Sequence, residues 1–176
     1  MHLPRYDTFW PRFFAGLLDS FVLTPFYWCI SPIKYSNSSL ILVLGGIFYF
    51  LFMPSYFVYM HGRFGQTLGK MVTKVSVLDL GETRICSFRQ SLLRESFYVL
   101  FSLVALLMFL FSIMTDGRYS NITFNWFNYA FECSYLAWFI IEVVTMFLNS
   151  KRRALHDFIG STVVVKGPPN KVLLPP

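Results

Sequence analysis

Four stretches of the chain are too long and too apolar for anything but a membrane interior. They run over residues 13–30, 40–60, 97–114 and 129–148. A helix rising 1.5 Å per residue needs roughly 20 residues to cross a bilayer, somewhat fewer at the short end. The second and third stretches carry no charged residue at all. The spacing predicts an all-α membrane protein, a four-helix transmembrane bundle forming one domain over residues 1–176.

Composition supports this reading and excludes others. The chain is 55% hydrophobic and 14% charged, with a mean hydropathy of +0.53, more apolar surface than a soluble domain of this length can hide. Its net charge of +6 is no sign of nucleic-acid binding, because the basic residues flank the apolar stretches. Thirteen of the fifteen Lys and Arg fall in the N-terminal segment, the 61–96 loop and the C-terminal tail. Only Lys34 and Arg118 fall on the other side of a four-helix arrangement. By the positive-inside rule both termini and the long loop face the cytoplasm, with the plasma membrane as the expected location. Cys29, Cys86 and Cys133 are odd in number and scattered, with neither metal nor disulfide spacing. Neither a cofactor fingerprint nor a nucleophile–base constellation is visible, so no cofactor, no metal and no enzymatic activity are expected.

The basic loop has structure of its own. GRFGQTLGK brings Gly65, Gly69 and Lys70 together. As a phosphate loop it fails on spacing, with three residues between the glycines of GQTLGKM and Met71 where Ser or Thr belongs. A tight turn with close backbone packing is expected instead. VTKVSVLD alternates like a short strand, with Val75 and Val77 opposite Lys74 and Ser76. SFRQSLLRESF opens with Ser87 and Gln90 at capping-box spacing. It sets Phe88, Leu92 and Leu93 against Arg89, Arg94 and Glu95, as an interfacial amphipathic helix would. In the tail, GSTVVVKG is a second β-prone run, and the two runs can pair as a small ribbon at the membrane surface.

Three blocks together resemble the RDD family of membrane proteins: PRFFAGLLD (11–19), GQTLGKMVTKVSVLD (65–79) followed by RQSLLRE, and RRALHDFIGSTVVV (152–165). The family's arginine and two aspartates correspond by motif position to Arg12, Asp19 and Asp157. The resemblance implies a small multi-pass membrane protein of bacterial type. Some members are proposed to exchange sodium or other monovalent cations for protons, and others look like accessory parts of membrane assemblies. The aromatic-rich helices depart from the family pattern.

Charges inside the apolar stretches are the remaining clue. Asp19 sits in the first, Glu132 and Glu142 in the fourth. A carboxylate there is paired or functional. Arg12 is two turns from Asp19, but its side chain leans toward the headgroups, so direct contact within the helix is not expected. Asp19 needs Arg94, Arg152, Arg153, Lys70, a cation or a proton. Asp19 and Glu142 each lie about 9 Å from the cytoplasmic end of their helices. At one depth, two carboxylates can hold a cation or share a proton. Three functions follow: monovalent-cation/proton antiport or ion homeostasis, calling for a homo-oligomer because four helices form a thin wall; a non-transporting scaffold that binds other membrane proteins; and, ranked below these, binding of an apolar or lipid ligand among the aromatic helices. In the structural alternative, Asp19 hydrogen-bonds between helices and Asp157 locks the tail beside Arg152 or Arg153.

Overall fold

The computed structural model describes residues 4–115 and 122–169; Arg118 and Lys171 lie outside them. Four long helices form the bundle: α1 (Phe9–Ile30), α2 (Ser39–Phe64), α5 (Ser96–Met114) and α6 (Ile122–Leu148). Each contains a stretch long and apolar enough to cross a membrane. Between α2 and α5 come α3 (Leu68–Val72), β1 (Val75–Asp79) and α4 (Phe88–Arg94). After α6 come α7 (Leu155–Ile159) and β2 (Thr162–Lys166).

The two strands pair antiparallel, from Val75 opposite Lys166 to Asp79 opposite Thr162. A lone two-stranded ribbon is marginal in water. This one is covered on both faces. Tyr6, Leu78, Val163 and Val165 pack on one side with Ile85, while Val75, Val77, Cys86 and Val164 pack on the other. Ser76 is therefore buried rather than solvated, hydrogen-bonded to the Gly167 carbonyl and to Gln66. The simple alternation expected at Val75–Val77 fails because neither ribbon face meets water.

Local chemistry sets the element ends. Gly65 closes α2 in the left-handed region (φ 66°), and its N–H donates to the His61 carbonyl at 2.9 Å. Thr67 caps α3, and Ser87 with Gln90 forms the expected capping box on α4. Gly69 allows α3 to press against α1: a Cβ there would lie 2.0 Å from the Ala15 carbonyl oxygen. α4 is amphipathic, with Phe88, Leu92 and Leu93 exposed for lipid. Of the polar residues expected opposite them, Arg89 is exposed but the others are not wet. Arg94 and Glu95 turn inward, buried at 3% and 7% exposure.

Aromatic rings hold the long helices together as well as facing outward. Phe97 of α5 stacks on Trp138 of α6 at 4.1 Å, Phe9 of α1 meets Phe147 of α6 at 5.1 Å, and Phe50 of α2 meets Phe109 of α5 at 5.7 Å. Gly46 gives Phe109 room to lie against α2.

Candidate functional site: a buried ionic cluster at the ribbon end

Asp157 sits in α7, and its Oδ2 accepts from the Ala154 amide at 2.9 Å. Two guanidiniums from other elements converge on the same carboxylate. Arg12 of α1 donates to Oδ2 at 2.6 Å, and Arg94 of α4 donates to Oδ1. Arg94 also donates to the Thr162 hydroxyl of β2 at 3.1 Å. Asp157 is fully buried. Burial alone would raise its carboxyl, but Arg12 and Arg94 reverse this and hold it well below the ordinary carboxylate range. The expected neighbours Arg152 and Arg153 do not supply this pairing. Arg153 instead binds the backbone carbonyls of Asp157 and Thr162, both at 2.9 Å. Arg12 does not snorkel outward; Asp157 draws it inward.

The cluster continues on its far side. Arg94 Nε lies 3.6 Å from Glu95, and Glu95 Oε1 lies 3.1 Å from His61 Nδ1. The other ring nitrogen of His61 meets Lys70 Nζ at 2.5 Å. Burial opposes ionisation of Glu95, yet His61 and Arg94 bring its carboxyl down to about 2. Lys70 is 9% exposed. Burial, followed by the neighbouring charge of Arg94, pushes its ammonium down to about 7. Lys70, expected in a packing turn, is thus the terminal member of a buried ionic chain.

Glu142 of α6 meets His156 Nδ1, and His156 Nε2 lies 3.6 Å from Asp157. Arg12, Arg94 and Lys70 thus stand in one network with Asp157, Glu95 and Glu142, joined through His61 and His156.

Asp19 stands apart from this chain. Its Oδ1 accepts from the Tyr56 hydroxyl at 3.0 Å and the Gly69 amide at 2.8 Å. Its Oδ2 accepts from the Thr67 hydroxyl at 2.5 Å. It is 2% exposed and touches none of the four cations proposed from sequence. One carboxylate therefore ties α1 to α2 and to the N-terminal turn of α3. Asp19 and Glu142 share depth but no partner. Glu132 is exposed. Among the described residues, no group of three or more His, Cys, Asp or Glu side chains could hold a metal ion.

Tyr56, Thr67, His61 and Glu95 are members of these networks that sequence reasoning did not assign. Thr67 carried a usable signal, a hydroxyl two residues before Gly69 at a helix start. Tyr56 carried none. The RDD family model matches residues 6–161. The chain belongs to the RDD family. That span holds the three motif residues, two of which, Arg12 and Asp157, form a direct ion pair, while Asp19 makes a second, separate tie. No curated protein and no solved structure matches the chain.

Proposed function

We propose that this RDD protein is a non-transporting membrane scaffold, an assembly partner for other membrane proteins. The observation that carries this reading is the sealing of its carboxylates. Asp19, Glu95 and Asp157 are each at most 7% exposed, with oxygens directed at protein donors rather than a water-filled path. An ion-carrying site needs acceptor oxygens that can exchange partners. These are engaged by hydroxyls, amides and guanidiniums drawn from α1, α2, α3, α4 and α7. The long helices meanwhile leave broad apolar faces uncovered, including Phe21, Leu44, Leu107 and Leu136, which lipid or another membrane protein can cover.

Monovalent-cation/proton antiport is the second reading, favoured by one observation: Lys70 is poised near neutral pH beside His61 and Glu95. It would need a homo-oligomer. Reconstitution separates the two. The scaffold reading expects no cation-dependent proton flux in liposomes holding the purified protein alone; robust flux overturns it. The basic asymmetry further supports a cytoplasmic location for both termini and the ribbon. An impermeant thiol reagent on intact cells should label a single cysteine at Ser38 but not one at Gly81, in a cysteine-free background. The reverse pattern contradicts this orientation.

A further inference from the structure

A cavity of about 340 Å³ lies among α1, α2, α5 and α6, walled chiefly by Tyr27, Tyr49, Phe50, Ser102, Phe131 and Tyr135. Its position is inside the hydrocarbon layer. Ser102 lies six residues into α5 and Tyr135 thirteen before the end of α6, about 9 Å and about 20 Å from the ribbon end. It is independent of the ionic cluster and of the proposed function.

The polar groups of the cavity are out of keeping with that depth. The hydroxyls of Tyr27, Tyr49, Ser102 and Tyr135 make no hydrogen bond to another described residue. Tyr27 and Tyr49 stand edge to face at 4.9 Å. A hydroxyl in hydrocarbon without a partner is unfavourable, and here several border one space. Pro54 in α2 has no N–H to offer the Phe50 carbonyl, so one wall also lacks its usual helical bond. The cavity is rich in donors, flat-walled and aromatic.

These features define a ligand. Among the described residues, no Asp, Glu, Lys or Arg lines the space, so an ion would lose its water without gaining a counter-charge, and a neutral molecule is favoured. Tyrosine and serine hydroxyls call for acceptor oxygens. Aromatic walls call for a ring. Tyr49 is 43% exposed on the lipid side, leaving a way out for an apolar tail. We infer that the cavity binds a neutral, membrane-dissolved ring compound carrying carbonyl acceptors, of the quinone class. Lipid ester carbonyls offer the same acceptor chemistry but lie at the headgroup boundary rather than at this depth.

The test is calorimetric titration of the full-length protein in nanodiscs of ether-linked phospholipid, which has no ester carbonyl, with a decyl-chain benzoquinone. The inference expects saturable binding of one molecule per chain. Combined Tyr27→Phe, Tyr49→Phe and Tyr135→Phe substitution keeps the shape and removes three donors, and should weaken binding at least tenfold. Ala105→Phe fills the cavity and should abolish it. Decylbenzene, which lacks carbonyls, should not saturate. Absence of saturable binding by the unsubstituted protein overturns the inference. So does equal affinity in the triple Phe variant, or decylbenzene binding as tightly as the quinone. Quinone binding in ether-lipid discs that vanishes in ester-lipid discs would assign the cavity to lipid carbonyls and overturn the ring assignment. If Ala105→Phe does not fold, the shape-preserving triple variant decides.

Discussion

Asp157→Asn strikes the centre of the ionic cluster with almost no change of shape. The carboxylate it removes is fully buried and serves two guanidiniums whose side chains are themselves 10% and 3% exposed. Asparagine keeps one acceptor oxygen but no charge. Arg12 and Arg94 are then left as buried cations without their shared acceptor, Arg94 keeping Glu95 at 3.6 Å. Removing one partner of a buried ion pair costs about 3–5 kcal/mol, because the remaining charge stays desolvated. Two cations share this acceptor, so the upper part of that range is expected. For a chain of this size it corresponds to a fall in melting temperature of roughly 6–20 °C. Circular dichroism melting of the purified protein in nanodiscs reads this directly.

A double-mutant cycle sharpens the test. Arg12→Met alone leaves Asp157 with Arg94; Arg12→Met with Asp157→Asn removes both a cation and its partner. If the geometry is right, the double variant is more stable than the sum of the single losses by at least about 1 kcal/mol, as groups in direct contact are coupled. Additive losses, or an Asp157→Asn variant within about 1 kcal/mol of the parent protein, would show that the two guanidiniums do not depend on this carboxylate.

Further outcomes follow from neighbouring residues. Lys70 has its pKa lowered to about 7 from an ordinary 10.5, so between these values the unfolded chain binds more protons than the folded one. Its contribution to stability therefore rises with pH across that window, by up to about 1.4 kcal/mol per unit. Lys70→Met should flatten the rise in a pH series of melting curves, and an unchanged slope would contradict the buried placement of the ammonium. Gly69→Ala puts a methyl group 2.0 Å from the Ala15 carbonyl oxygen, which is backbone and cannot swing aside. α3 must then separate from α1, and a loss of more than about 2 kcal/mol is expected in the same melt, beyond the small gain that Ala brings to a helix interior. Stability equal to that of the parent protein would refute the close approach.

The sequence disclosed the elements whose signal is local. The four spans appear as long apolar runs, α4 through Ser87 and Gln90, the turn through Gly65 and Gly69, and the ribbon strands through two β-prone runs. Pairing across the chain was not local and was harder to see. Asp157 lies 145 positions from Arg12 and 63 from Arg94, and no spacing rule connects them; of the nearer Arg152 and Arg153, Arg153 does lie against Asp157, but on its backbone carbonyl rather than its carboxylate. Arg94 and Glu95 read as the wet face of an interfacial helix because amphipathicity marks which face is polar, not whether water lies beside it. For Asp19, the structural alternative of hydrogen bonds between helices matches what is seen, though its donors Tyr56, Thr67 and the Gly69 amide were not named.

Asp19 is a structural tie holding α1 to Tyr56, Thr67 and the α3 turn. Asp19→Asn is its most direct test. The amide can accept with only one oxygen, while its NH₂ group faces the donors the second oxygen once received. Replacing that acceptor should cost about 1–3 kcal/mol, the penalty of leaving a buried donor without a partner. The decisive measurement pairs a melting curve with sodium- and potassium-dependent proton flux in liposomes, using the same preparations of parent and Asp19→Asn protein. The account predicts a lower melting temperature for the variant and no cation-coupled flux in either protein. Strong flux in the parent protein, abolished in a variant that melts at the parent temperature, would contradict it and make Asp19 the ion site.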